Sequence, residues 1–373
     1  MKLRYAFFLL MLPCLGCKKP YAPPASSAPG SYLVVEGIIN SGNDSTIISI
    51  NKTVKLTDKA TSNPVLGATV TVEGEQGGIY HLNDYANNGR YASAGSLNLS
   101  TSQRYRLRIN NGTSQYLSDF VAVKATPPID SVGYNIQNDN VNIYVNAHDA
   151  TNNTRYYRWD YDETWQFHSK FQSSLLADTL HDIIVARTAE TQIYNCFGND
   201  HSSHIVVNST AALAKDVVYQ NSIVLIPLSS EKVETRYSIL LRQYALTQEA
   251  FQFYQLLQKN TEDIGSIFDA QPSQVTGNIH CVSNPAELVL GYITACNVQS
   301  KRIFISQTDL PYVPTIYPYD CEIDIALDPE DTFLRPPIED IPIGPASLGI
   351  TYSSIQCVDC TIRGTTKAPA WWH

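Results

Sequence analysis

Several groups of side chains in this sequence have types and spacings that bear on chemistry. Cys357-Val358-Asp359-Cys360 places two thiols three residues apart, the spacing of a redox dithiol or of one half of a zinc site. A thioredoxin-type pair needs a helix N-terminus behind its first cysteine to hold the thiolate. The following Thr361-Ile362-Arg363-Gly364-Thr365-Thr366 does not favour a helix, so structural disulfides are the expectation. His201-Ser202-Ser203-His204 has the look of a ligand pair, yet no Glu stands between the histidines as in the helical metalloprotease pattern. It reads as a surface loop, with metal binding by His201 and His204 as the weaker alternative. Asp160 and Asp162 share one strand face with Arg158. Glycosidases draw their paired carboxylates from different elements, so this trio reads as an ion cluster. Asp324, Asp328, Glu330 and Asp331 lack the spacing and the glycine of an EF-hand. There is no phosphate-cradling glycine loop and no Gly-x-Ser-x-Gly elbow. No catalytic residue and no cofactor is assigned, and the expected class is not an enzyme.

The first 17 residues carry the sharpest signal. Lys2 and Arg4 precede an apolar run at residues 5–12, then Pro13-Cys14-Leu15-Gly16-Cys17, the order of a bacterial secretory signal. The run is shorter than the roughly 20 residues a spanning helix needs. Cys17 directly after Gly16 resembles a lipoprotein signal, with Cys17 becoming the acylated first residue. Cleavage before Cys14 would put Pro13 where a small, flexible residue is wanted. The resemblance implies three acyl chains, and two already anchor stably. Residues 17–30, rich in Pro, Ala and Ser, read as an extended tether. Lys18 in second place resembles lipoproteins sorted to the outer membrane, on either its periplasmic or its surface face.

Composition narrows the rest. The chain has 35 acidic against 26 basic residues and a formal net charge of −9, and loss of the signal makes it more acidic. An acidic chain without a basic stripe does not suit nucleic acid or anionic lipid surfaces. Beyond Cys14 and Cys17 lie Cys196, Cys281, Cys296, Cys321, Cys357 and Cys360. An even number in an oxidising compartment reads as disulfides, with 15 pairings open. Cys281 and Cys296 sit on apolar runs either side of the turn Asn284-Pro285-Ala286-Glu287, so that pair is expected to staple adjacent strands. The other four would then pair among themselves.

The elements that position these residues are mostly strands. Residues 32–39 and 46–50 read as a hairpin, and Ala68, Val70 and Val72 alternate with Thr69, Thr71 and Glu73. Seven or so short strands fill residues 31–126, as in a β-sandwich. Pro-Val-x-Gly-Ala-Thr-Val at 64–70 followed by Asn88-Gly89-Arg90-Tyr91 resembles the transthyretin-like or carboxypeptidase-regulatory-like sandwiches. Thr126-Pro127-Pro128 marks a joint. A second β-rich domain, fibronectin- or immunoglobulin-like, is expected over 127–320. In its strand at 156–167, Trp159, Tyr161, Trp165 and Phe167 share a face that reads as core rather than as a sugar-stacking platform. Thr247 caps a helix over 247–260 whose Ala250, Phe253, Tyr254 and Leu257 form one apolar stripe. Residues 321–373 read as a Cys/Pro-rich wrap. The fold class expected is mainly β, with two consecutive sandwiches.

Three runs resemble one family of Bacteroidota envelope lipoproteins, the domain of unknown function DUF4249. They are residues 237–247 with the helix, Gly265 to Ile279 around Asp269-Ala270-Gln271-Pro272-Ser273, and the ending Cys357-Val358-Asp359-Cys360 through Arg363-Gly364-Thr365-Thr366 to Trp371. The family's second glycine is replaced here by Thr365. The resemblance implies a lipid-anchored two-domain β protein whose gene neighbourhood often holds a TonB-dependent outer-membrane transporter, and it implies no activity. The expected function is a non-enzymatic accessory or ligand-binding partner of such a transporter. A metal-dependent envelope hydrolase and a structural or adhesive surface module are the alternatives. Replacing Cys17 by Ser should remove the acyl mass from the N-terminal peptide and move the protein from the membrane to the soluble fraction; mass spectrometry and fractionation check this.

Overall fold

Period-two alternation builds the first module. In this computed structural model, residues 31–54, 62–178, 180–181, 183–262, 275–326, 337–343 and 346–373 are described. Cys17 and the tether lie outside them. The strands Leu33–Asn40 and Ile47–Lys52 form the expected antiparallel hairpin. Asn40 closes its turn, its side-chain oxygen accepting from the Gly42 N–H at 2.9 Å. Thr69–Gly74 pairs antiparallel with Arg104–Asn111, turning Val70, Val72, Tyr105, Leu107 and Ile109 into a dry core. On the outer face of this ladder Glu73 accepts from both Arg106 and Arg108, the cross-strand pairing that suits a solvated face. Tyr91 pins the loop before Thr69: its hydroxyl donates to the Val65 carbonyl at 2.7 Å and accepts from the Ala68 N–H at 3.0 Å.

Residues 31–126 do not complete this sandwich. Ile279–Cys281 joins the strand Ser114–Ser118, Val289–Leu290 lies parallel to Leu33–Asn40, and Ala295–Cys296 fits between Leu33–Asn40 and Val121–Lys124. The module is therefore discontinuous, and the expected boundary at 126/127 is corrected to include this returning segment. Two devices hold it. Asn278 imitates a backbone, donating to the Ile293 carbonyl at 2.9 Å and accepting from the Ile293 N–H at 2.8 Å. Gly291, with φ of +145°, lets the chain pass so close to Val35 that a Cβ would lie 2.1 Å from its carbonyl oxygen, a place open to glycine alone. That kink also explains why residues 286–294 are not the continuous strand their apolar content suggests.

The same return overturns the Cys281–Cys296 pairing. Both thiols are free and buried. Cys281 faces the core of the first sandwich, whereas Cys296 packs with Ile38 and Tyr244 where the two modules meet. Along the sheet their strands are four positions apart, about 19 Å at the usual strand spacing. The remaining four cysteines do pair among themselves, as Cys196–Cys360 and Cys321–Cys357. The Cys-x-x-Cys run thus contributes one sulfur to each of two bridges.

The second module is also a sandwich. Its central strand Tyr156–His168 lies between Arg236–Ala245 on one side and Asn195–His201 with Val206–Ser209 on the other, and Gln299–Ser306 continues the sheet. Ile129–Gln137, Asn140–His148 and Val217–Pro227 form the facing sheet. The aromatic stripe is core: Tyr157, Trp159, Tyr161, Trp165 and Phe167 meet Val141, Ile143, Val145 and Ile226 across the layer. Two of the polar side chains that alternation carries inward find partners there. Glu163 accepts from the Tyr237 hydroxyl at 2.7 Å and from the Lys232 ammonium at 2.6 Å, and the Trp159 indole donates to Gln243 at 2.9 Å.

The helix spans Gln248–Thr261, one residue beyond the expected end, with the Thr247 hydroxyl accepting from the Ala250 N–H. It seats Phe251 against Tyr156 at 5.1 Å. The C-terminal stretch is less loop-like than expected, because Asp324–Ala326, Pro337–Ile343 and Ala346–Tyr352 form a small sheet. Asp328, Glu330 and Asp331 lie outside the described residues. Beyond Cys360, Thr365 and Phe197 exchange two backbone hydrogen bonds, and Trp372 packs edge-on against Phe197 and Phe304. Thiol titration of protein lacking residues 1–17 should find no reactive cysteine in the folded state and two after denaturation without reductant. Replacing Cys196 and Cys360 together by Ser should cost about 2–5 kcal/mol in chemical denaturation.

Candidate functional site

The joint between the modules is tied at both ends. Asn297, on the returning segment, accepts from the Thr126 N–H at 2.8 Å and donates to the Thr126 carbonyl at 3.3 Å. The Thr126 hydroxyl accepts from the Ala245 N–H at 3.1 Å, and Gln243 donates to the Pro127 carbonyl at 2.9 Å. Prolines at 127 and 128 supply no N–H, so these carbonyl and side-chain bonds fix the linker instead. The two sandwiches consequently hold a cleft of defined shape between them.

The floor of the cleft is the outer face of the second module's main sheet. Alternation places Arg158, Asp160 and Asp162 outward on one strand, and Arg242 and Tyr244 outward on its neighbour. Arg242 bridges Asp160 at 3.2 Å and Asp162 more closely. Arg158 reaches Asp160 at 3.3 Å and lies over the rings of Tyr254 and Tyr244 at 4.8 and 5.2 Å. The expected ion cluster is present, enlarged by Arg242. Burial works against charge on Asp162, but hydrogen bonds from Arg242 and His201 outweigh it and hold the carboxyl below its ordinary value. Burial also opposes the Arg242 charge, and Asp162 and Asp160 more than restore it. A general base works best when its pKa lies near the operating pH. Asp162 is held away from that range and engaged on both oxygens, which suits a fixed polar surface.

Two hollows meet over this floor. One, of about 750 Å³, is walled by Val34, Leu290 and Tyr292 from the first module and by Phe253, Tyr254 and Leu257 from the helix. The other, of about 680 Å³, lies over Asp160, Asp162 and Arg242 and reaches Asn40 and Arg90. Glu36, Gly37, Arg158 and Ser202 border both, so the hollows are arms of one cleft, apolar at one end and polar at the other.

The histidines of the 201–204 run sit on its rim and diverge. His201 ends a strand, 2.7 Å from Asp162, whereas His204 lies 3.9 Å from Glu262 at the end of the helix. Among the described residues no three His, Cys, Asp or Glu side chains come together as a metal site. Arg242 was not singled out from the sequence, although the alternation of Tyr237, Ile239 and Leu241 with Ser238, Leu240 and Arg242 carries the signal. No local signal marks Glu36, whose place in the cleft depends on how the two modules meet.

Residues 18–302 match the family described as Domain of unknown function (DUF4249). The chain belongs to this family. The match to this DUF4249 protein covers the first sandwich and the second as far as the strand Gln299–Ser306, within which it stops. A search of the curated proteins finds no match. Among the described residues no helix is long and apolar enough to cross a membrane.

The ion network carries a pH dependence whose sign is fixed. A depressed carboxyl pKa stabilises the fold above the unfolded value, about 3.9 for Asp, and that stabilisation is lost as pH falls through the folded value. Replacing Arg242 by Met removes the cation that depresses the Asp162 pKa, so the variant should melt lower than the parent at neutral pH and the gap between them should narrow as pH falls below the unfolded value. At neutral pH the half-buried carboxylates left without Arg242 should cost about 1–3 kcal/mol. Thermal melts of both proteins between pH 3 and 7 measure the two effects.

Proposed function

We propose that this DUF4249 protein is a lipid-anchored protein of the bacterial outer membrane that holds a ligand between its two sandwiches, as the accessory of a TonB-dependent transporter. The two-armed cleft carries the reading. A module built only to adhere or to brace has no need of a preformed hollow that is apolar at one end and ion-lined at the other, the usual make-up of a small-molecule site. The cross-tied joint favours binding as well, since a cleft already in shape loses little ordering entropy when filled. A hydrolase reading would need His201 and His204 to converge on one metal, and each faces a separate carboxylate. The signal over residues 1–16 and the tether that begins at Cys17 support the anchor, and the gene neighbourhood often found for the family supports the transporter.

Tagged protein purified from detergent-solubilised envelopes should carry a TonB-dependent transporter with it, and deletion of the gene should lower that transporter's uptake. Recovery of the protein without any envelope partner, together with unchanged uptake, would overturn the accessory role.

A further inference from the structure

The polar arm of the cleft has little net charge to offer. Its lining holds four carboxylates (Glu36, Asp44, Asp160 and Asp162) against three guanidiniums (Arg90, Arg158 and Arg242). The charges at its centre are already committed to each other: Arg158 to Asp160, and Arg242 to Asp160 and Asp162. Seated over this centre, an anionic head would have to displace a carboxylate from Arg242, and a cationic head would have to displace Arg242 from two carboxylates. Either exchange leaves a half-buried partner unpaired, which is costly. An uncharged head meets no such barrier. Paired carboxylates keep spare lone pairs, and guanidiniums keep spare N–H groups, for a hydroxyl that both donates and accepts. The apolar arm, next to this one and open to it through Arg158 and Glu36, is lined by rings and aliphatic chains such as Phe253, Tyr292, Leu257 and Leu290. Each arm is within the size range of a small-molecule site.

We infer that the cleft takes an uncharged amphiphile, its polyol head over Asp160, Asp162 and Arg242 and its apolar tail between the helix and the Val289–Leu290 segment. This rests on the cleft being the ligand site, and it adds the ligand's chemistry. Isothermal titration of the full chain carrying Cys17→Ser would use four probes: octyl glucoside below its micelle concentration, glucose, octanoate and octyltrimethylammonium. Octyl glucoside should bind tighter than glucose by about tenfold or more, the effect of burying as few as two methylenes. It should bind tighter than octanoate or octyltrimethylammonium by about tenfold, because either charged head leaves a half-buried ion-pair partner without its mate. Leu257→Trp, which fills the apolar arm, and Leu257→Gln, which wets it, should each weaken octyl glucoside by about tenfold. Melting curves of both variants identify any loss that comes from unfolding.

Tighter binding of octanoate or of octyltrimethylammonium, lost in Leu257→Trp, would overturn the uncharged head and leave the cleft as the site. Equal binding of glucose would overturn the role of the apolar arm. Binding of octyl glucoside that is indifferent to both Leu257 variants and to Arg242→Met would place the ligand elsewhere and overturn the cleft reading itself. No binding by any of the four probes would overturn the inference.

Discussion

The molecule depends on a chain that leaves its first sandwich at Thr126, returns to it through strand segments between Ile279 and Cys296, and leaves it again at Asn297. Thr126 and Asn297, 171 apart in sequence, exchange two hydrogen bonds at the crossing point. Every strand of the second sandwich's two main sheets before Gln299–Ser306 is threaded between them. The first module therefore gains its last three strand segments only after most of the second has been made. A linker used once leaves two domains free to turn; a linker crossed twice and tied by Gln243 and Asn297 does not. The shape of the cleft follows from that restraint.

Buried polar groups give the second sandwich its register. A strand slip by one residue would exchange the inward set of Tyr156–His168 for the outward one. It would bring Arg158, Asp160 and Asp162 into the core and strand Glu163 away from Tyr237 and Lys232. The Trp159 indole would also lose Gln243, whose amide reaches on to Pro127. Correct pairing of the core strand and correct placing of the linker are thus coupled through one glutamine. Removing a large buried ring such as Trp159 typically costs about 3–5 kcal/mol, so the same strand carries both stability and alignment.

On the outer face of that sheet the chemistry reverses. The helix covers one end through Phe251 and Tyr254, and the tryptophans of the C-terminal ending cover the other, Trp371 beneath Arg302 and Trp372 beside Phe304. Between them the ion-paired middle is open among the described residues and forms the cleft floor. Charges held in mutual contact need little solvent and keep a fixed geometry, which makes such a surface a better hydrogen-bonding platform than a proton-transfer site. The free thiol of Cys296 behind this region is pushed up to about 11 by burial and stays a packing group rather than a nucleophile.

Strand faces, the helix with its Thr247 cap and the sandwich character were legible in the chain because each follows from a local period or a neighbouring group. The period-two face of Arg158, Asp160 and Asp162 was legible for the same reason, and so was the aromatic core opposite it. The return of residues 275–298, the pairing of the four bonded cysteines and the meeting of Glu36 with Arg158 were not. They are contacts between residues that share no spacing, selected by which edges and thiols come within reach once both sheets have formed. Cys281 and Cys296 show the difference best: close in sequence and alike in setting, they are parted by the strands that fold between them.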